Sequence, residues 1–458
     1  MESAPLTLSY DRGSLVLAGA APATAPAPEG VWVWDPRIGA HRALALHYRA
    51  AVRALTQAGR ACEDRARDYA DLPPLPDPAP APHPHQAQAL AAWERGKRGV
   101  VELPTGAGKT RLALMALARV RRAALILVPT LDLVTQWAEA LRTFLGIDAG
   151  LVGGGSFDVR PVTVCTYASA CRHGERFGNR FGLAVFDECH HLAGEMYARC
   201  AEVLIAPYRL GLTATLERPD GRHALLEGLI GPVVYRQAIG ALSGRYLAHY
   251  RTEVLEAELN AEEREQYLAA RRVYRDFVAA QGLRLAGPGD WQRFVYIAAG
   301  SPQGREALAG YYRQKRLTFA SAGKFALLAD LLHRHRGQQT LVFTNDNRTA
   351  YEVSRRFLVP LITHQTRVQE RREILARFRD GRWPILATSK VLNEGVDVPA
   401  ASVAVIVSGN ASVREHVQRL GRILRKDGDK QAVLYELLTR GTSEQGTSER
   451  RRQHDAYR

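Results

Sequence analysis

Residues Leu103–Thr110 read LPTGAGKT, and Val185–His191 read VFDECHH. In the first stretch Thr105, Gly106, Ala107 and Gly108 are small enough for backbone N–H groups to close around phosphate oxygens at a helix N-terminus. Lys109 would set its ammonium on the β- and γ-phosphates, and the Thr110 hydroxyl would ligate Mg²⁺. In the second stretch Asp187 would face the same metal while Glu188 orients an attacking water. The chemistry implied is ATP hydrolysis with Mg²⁺. Each motif has a plainer alternative, a glycine-rich turn and an exposed acidic pair. Leu103 also stands where a strict phosphate loop begins with glycine. The order of the two, each after its own apolar strand, favours hydrolysis.

Such groups need strands and helices to hold them. Val100–Leu103, Ala124–Val128, Val162–Cys165, Leu183–Phe186 and Tyr208–Leu212 are apolar enough for buried strands. Between them lie amphipathic stretches such as Arg111–Val120, which has helical Ala/Leu spacing. That alternation predicts an α/β fold with a mostly parallel sheet covered on both faces. Ligands in such sheets bind at the carboxyl ends of strands, where both motifs fall. Strands at Thr340–Phe343, Leu361–Thr363, Ile385–Thr388, Val403–Val407 and Ala432–Leu437 predict a second sheet domain.

The organisation expected is a small α+β domain over 1–72, a proline-rich linker over 73–84, and a first sheet domain over 85–250. A helical insert over 251–320 and a second sheet domain over 321–458 follow. In the small domain, strands are expected at Leu6–Tyr10, Leu15–Leu17 and Val31–Trp34, with a helix over His41–Thr56. The run of prolines from Leu72 to Pro84 excludes helix.

Three more stretches sit after strands. Gly211–Thr215 reads GLTAT, where Thr213 and Thr215 would hydrogen-bond between the catalytic carboxylates and nearby loops; a Ser/Thr turn is the alternative. Thr388–Pro399 reads TSKVLNEGVDVP, in which Gly395 permits close backbone approach and Asp397 would accept from a ribose hydroxyl or from a domain-closing partner. Gln418–Arg425 reads QRLGRILR. Arg422 and Arg425 are three apart and share a helix face, which suits a transferring phosphoryl group as well as a solvated surface.

Across 458 residues, 62 Lys and Arg against 47 Asp and Glu leave a net charge of +15. That excess fits a polyanion such as nucleic acid. Only seven of the 62 are Lys, so a compositional bias towards Arg competes with that explanation. Cys62, Cys165, Cys171, Cys189 and Cys200 form no CxxC pair, which argues against zinc and for reduced thiols. No apolar run reaches the length of a membrane span, and no signal-like segment opens the chain, so a cytoplasmic protein is expected.

Taken together, LPTGAGKT, LVPT (Leu127–Thr130), CTYAS (Cys165–Ser169), DECHH, GLTAT, LVFTN (Leu341–Asn345), TSKVLNEGVDVP and QRLGRILR resemble the motif set of superfamily-2 helicases. YDRGSLVLAG at Tyr10–Gly19, the helical insert and the tail GTSEQGTSERRRQHDAY at Gly441–Tyr457 are similar to the XPB-like DNA helicases of bacteria and archaea. The resemblance implies two RecA-like motor domains, an N-terminal damage-recognition-like domain and a thumb-like insert. It implies an ATP-dependent DNA helicase or translocase, moving 3'–5' and serving DNA repair. By the same likeness Gln86 is the adenine-reading glutamine, although His83 and His85 replace the family's usual Arg and Tyr. Gln418, Arg422 and Arg425 complete the ATP site from the second domain. The family's Arg-Glu-Asp loop is here Arg218, Pro219 and Asp220, which weakens any separate unwinding role for it.

The partners expected are single-stranded DNA and duplex junctions, met by a monomer. The resemblance also admits a nuclease partner, which no residue here identifies. Candidate grips are Pro129, Thr130, Thr166 and Thr344, with Arg313 and Lys315 beside Tyr311, Tyr312 and Arg316 on the insert. The alternative for the insert is core tyrosines and a solvated charged face. A duplex translocase, an RNA-directed helicase and a nucleic-acid-binding scaffold are the competing functions. In the small domain, Trp32, Trp34, Arg37 and Arg42 would either meet distorted DNA or pack that domain on the motor.

Overall fold

The computed structural model describes residues 6–22, 28–194, 196–216, 220–242, 244, 246–285, 288–389, 401–409 and 431–452. They form two compact units, 1–241 and 242–458.

The first unit begins with a five-stranded sheet, ordered Val33–Asp35, Ala40–Leu44, Ser14–Ala18, Leu6–Asp11, Cys62–Arg65. Its neighbours are antiparallel except the last pair. The helix expected from His41 starts only at Tyr48 and runs to Gln57. Ala40–Leu44 is instead a strand, because pairing with Ser14–Ala18 and Val33–Asp35 buries His41 and Ala43 between two partners. Helical spacing within one segment says nothing of those partners.

The small domain is joined closely to the sheet that follows. The Tyr10 hydroxyl donates to the Val203 carbonyl at 3.0 Å, Arg49 donates to Gly96 O at 2.7 Å, and Ala123 N donates to Ala70 O at 2.9 Å. Ile205 of the larger domain sits in the small domain's core. The four residues picked out for DNA or packing are largely committed within the small domain. Trp32 is buried in its core, Trp34 packs edge-on to His41 at 5.0 Å, and Arg37 and Arg42 both hold Asp35 at 2.9 Å.

Next comes an eight-stranded sheet, ordered Val233–Arg236, Arg98–Glu102, Tyr208–Thr213, Leu183–Asp187, Ala124–Val128, Val162–Thr166, Gly150–Gly153, Ser156–Phe157. All neighbours are parallel but the final pair. The central strands are apolar and buried on both faces, as parallel strands between helical layers must be. Arg209 lies fully buried here without a carboxylate partner among the described residues. Its guanidinium donates instead to the carbonyls of Ala201, Leu204, Ala206 and Leu229, fastening the chain around one strand end.

The second unit holds a six-stranded, wholly parallel sheet, ordered His249–Ala257, Gln431–Thr439, Val403–Ile406, Thr340–Phe343, Ile385–Thr388, Leu361–Ile362. Both large sheets have the RecA-like parallel form. Within the expected helical insert, 251–257 proves to be strand, paired along its whole length with Gln431–Thr439. Its charged, alternating residues suit an edge strand with one exposed face. The helices are Ala261–Ala280, Pro288–Ala299 and Pro302–Phe319. Asn260 and Glu263 start the first by capping each other's backbone. Gly310 lets the third approach closely, since a Cβ there would lie 2.8 Å from the Ala270 carbonyl.

Candidate active site

The phosphate loop is a backbone shape before it is a set of side chains. Gly106 and Gly108 have φ of 88° and 83°, a left-handed region that glycine enters without strain. Such turns point successive N–H groups into one concavity. Helix Lys109–Val120 starts straight after Gly108 and adds the positive end of its dipole. Lys109 is nearly buried, and its ammonium donates to the Leu103 carbonyl at 3.1 Å.

Gln86 and His85 brace this loop from the helix Pro84–Glu94. Gln86 Nε2 donates to the carbonyls of Ala107 and Gly108 at 3.2 and 3.3 Å, while its Oε1 accepts from His83 N at 3.0 Å. His85 Nε2 lies 3.0 Å from the Ala107 carbonyl. A Cβ on Gly108 would fall 2.1 Å from Gln86 Nε2, so this glycine is required by its neighbour as well as by its φ. Gln86 is thus buried with the Nε2 end of its amide on the loop and the Oε1 end on the start of its own helix.

Strand register brings the acidic box level with the loop. Asp187 pairs with Leu212, Thr213 pairs with Glu102, and Leu103 N donates to Thr213 O at 3.0 Å. Asp187 Oδ2 accepts from the Trp137 indole at 2.9 Å, and its carbonyl accepts from the Tyr167 hydroxyl at 2.8 Å. Neither Trp137 nor Tyr167 was picked out from sequence as a support of the box. Burial and the charge of Glu188 push the Asp187 carboxyl up to about 6, with the Trp137 N–H and Lys109 opposing. A buried carboxylate held against its own burial is suited to a cation.

Glu188 has φ 48° and ψ 50°, which costs a non-glycine residue roughly 1–2 kcal/mol. Its Oε2 is buried without a hydrogen bond, 3.5 Å from His190 Nδ1. That same Nδ1 lies 3.1 Å from Thr213 Oγ1, which donates to the Thr215 carbonyl at 3.0 Å and accepts from Thr215 N at 3.2 Å. His190, which no local sequence pattern singles out, is the link between the acidic box and GLTAT.

Removing the indole donor should test how far Asp187 depends on its support. Trp137→Phe is expected to lower steady-state ATP turnover roughly 10- to 100-fold, the usual effect of losing a partner that orients a metal-facing group. Turnover unchanged at saturating ATP and Mg²⁺ would assign Trp137 to packing alone.

The other candidates scatter more. Pro129 and Thr130 follow one strand and Thr166 ends the adjacent one, so these three share a rim. Thr130 and Thr166 each cap a helix, accepting from Leu133 N at 3.4 Å and Ser169 N at 3.2 Å. Thr344 is buried in the second unit, donating to Asp346 O at 3.0 Å. Arg313 and Lys315 lie on the Pro302–Phe319 helix. Gly395, Asp397, Gln418, Arg422, Arg425, Arg218 and Pro219 lie outside the described residues.

Three family models match the chain. They are the Xeroderma pigmentosum group B helicase damage recognition domain over 8–66, the type III restriction enzyme res subunit over 80–218, and the helicase conserved C-terminal domain over 323–427. The chain is 41% identical over 420 residues to the DNA 3'-5' translocase XPB2 of Sulfurisphaera tokodaii, covering 92% of this chain and 95% of that protein. It is 34% identical to the DNA 3'-5' helicase XPB of Kineococcus radiotolerans and 32% to that of Mycobacterium tuberculosis. Those matches cover 77% and 75% of this chain, and 58% of each relative. Among solved structures, the Pyrococcus furiosus Hef helicase domain aligns with a TM-score of 0.56 at 20% identity, over 80% of this chain and 97% of that one. S. cerevisiae Dbp5 aligns with 0.57 at 17%, over 82% and 88%. These two likenesses concern the fold.

Proposed function

This chain belongs to the XPB family of superfamily-2 helicases, and from that premise we propose how its own residues turn ATP hydrolysis into movement on DNA. It is an ATP-hydrolysing DNA helicase or translocase with the 3'–5' direction of its relatives, and its damage recognition domain is consistent with DNA repair.

The observation that carries the site assignment is the buried Asp187 beside Glu188, level with the phosphate loop and within reach of the Lys109 charge. The backbone of Thr105–Thr110 would hold the triphosphate of ATP, with Lys109 released from the Leu103 carbonyl onto its anionic oxygens. Thr110 and Asp187 would supply the hard oxygen ligands that Mg²⁺ takes, and the chemistry so supplied would be neutralisation of charge on the phosphates. Glu188 orients the water. Its strained backbone and undonated oxygen suit a group held for a reacting molecule. The Glu188–His190–Thr213 chain would report the state of the site to GLTAT.

Gln418, Arg422 and Arg425, with Gly395 and Asp397, are assigned to the second half of the site. They fall within the 323–427 match to the helicase C-terminal model, which supports that reading. Domain closure would then depend on the γ-phosphate, and hydrolysis would release it. The grips would be Pro129, Thr130 and Thr166 on one unit, and Thr344, Arg313 and Lys315 on the other. With the Thr130 and Thr166 hydroxyls engaged in helix caps and that of Thr344 donating to the Asp346 carbonyl, backbone groups would be the closer phosphate contacts at those three positions. Single strands and duplex junctions are the substrates this arrangement suits, for a monomer working in the cytoplasm. A nuclease partner rests on the family likeness alone. No helix among the described residues is long and apolar enough to cross a membrane.

Strand displacement and ATP turnover on blunt DNA duplexes, tailed DNA duplexes of either polarity and RNA duplexes test the reading. Displacement of 3'-tailed DNA with ATP is expected. Stimulation by blunt duplex without displacement would make the protein a duplex translocase. Arg425→Ala is expected to cut DNA-stimulated turnover about 10³-fold with ATP affinity retained, as a group acting in the transition state would. Equal turnover would remove Arg425 from the chemistry.

A further inference from the structure

A cavity of about 770 Å³ in the second unit lies between the Pro302–Phe319 helix and the start of the Asn347–Phe357 helix. Tyr312, Arg313, Lys315, Arg316, Asn345 and Arg348 line it. None of these four cations forms an ion pair among the described residues, and the only acids on the wall are Asp346 and Glu352. Asp346 is already spent as a helix cap, accepting from Thr349 N and Oγ1 at 2.9 Å each. With four cations against two carboxylates, the wall is a concave surface of net positive charge, which attracts a polyanion.

Two neutral groups refine what that polyanion presents. Tyr311 turns into an aromatic cluster with Trp291 and Tyr274, at 4.4 and 5.3 Å, but Tyr312 beside it is 57% exposed. A solvated ring face at the mouth of a cationic cavity is a platform for a planar base. The Asn345 amide oxygen is buried there without a hydrogen bond, although its backbone N–H donates to Ser408 Oγ at 2.8 Å. An amide turns end for end to offer either a donor or an acceptor, which is what the polar edge of a base requires. A paired duplex keeps its base faces stacked, so only an unpaired nucleotide can use these groups.

We propose that this cavity takes one unpaired nucleotide of the DNA strand, its base on Tyr312 and the Asn345 amide and its phosphates on Arg313, Arg316 and Arg348. Lys315, stacked between the Tyr311 and Phe319 rings at 5.8 and 5.4 Å, adds charge from the floor. The site rests on the DNA reading above and adds to it a preference for single-stranded DNA. It also makes the thumb-like helix and the LVFTN loop two walls of one grip.

The test uses the full chain, with fluorescence anisotropy on a short oligothymidylate and on a blunt duplex. Tyr312→Ala is expected to weaken oligothymidylate binding about 5- to 100-fold, the equivalent of roughly 1–3 kcal/mol for one lost base stack. Duplex affinity should change by less than about twofold and the melting midpoint should hold, while Tyr312→Trp should retain single-strand binding. Equal losses on both DNA forms, or no loss on the single strand, overturn the base site while leaving DNA binding in place. Failure of the unaltered protein to bind either form overturns both this inference and the DNA reading.

Discussion

Glu188→Gln is expected to lower ATP turnover by roughly two to four orders of magnitude, the contribution of a positioned general base. The amide has the carboxylate's shape, so the backbone at φ 48° and the contact with His190 can persist while the ability to draw a proton from water is lost. ATP binding should survive, because on the proposed reading the phosphates would be held by the loop and by Lys109. Equilibrium binding of a fluorescent ATP analogue beside steady-state turnover separates the two. Lys109→Ala should differ by weakening affinity as well as turnover, since its ammonium is the loop's own charge. Turnover near the parent's in both variants would place hydrolysis elsewhere. The non-additivity of groups acting as a unit predicts that the double variant is little worse than either alone.

Lys324→Ala is the substitution expected to cost most in stability. Lys324 is fully buried at the start of the Ala322–Arg334 helix, with its ammonium 2.7 and 2.8 Å from the two oxygens of Glu444 and 2.8 Å from the Val407 carbonyl. Glu444 is 4% exposed and also accepts from Thr439 N at 2.9 Å. The pair fastens that helix to the final strand and to the segment after it. Breaking a buried pair from one side costs about 3–5 kcal/mol, because the remaining carboxylate keeps its desolvation penalty and loses its counterion. The calorimetric midpoint of the second unit should fall by roughly 6–20 °C. Lys324→Met combined with Glu444→Leu should recover most of that, since neither charge is then stranded. A single-variant midpoint within about 1 °C of the parent would show the pair to be solvated.

The parts of the molecule legible in sequence are those whose encoding is local. LPTGAGKT specifies its own loop, because two glycines at φ near 85° and a lysine at a helix start are neighbours in the chain. The apolar runs at Ala124–Val128 and Leu183–Phe186 mark buried parallel strands because burial on both faces leaves no alternation to misread. Local pattern misled where a distant partner decided the outcome. Ala40–Leu44 became strand through Ser14–Ala18, and His249–Ala257 joined a sheet through Gln431–Thr439. Local pattern does not mark Gly150–Gly153 or Val233–Arg236 as strands, both being short, partly exposed and near glycine or proline.

The sequence by itself determined the chemistry this protein carries: a phosphate loop, a DECH box and the order of helicase motifs, since each is a contiguous run whose backbone shape and donor set follow from its own residues. Tertiary structure alone decided what steadies and connects them. Trp137 reaches the strand end at Asp187 from a helix, His190 meets Thr213 across two strands, and Tyr312 and Asn345 line one cavity only because the insert folds back on the second sheet. Such contacts join residues far apart in the chain. Neither partner's local pattern names the other, so only burial in a common fold can bring them within hydrogen-bonding reach.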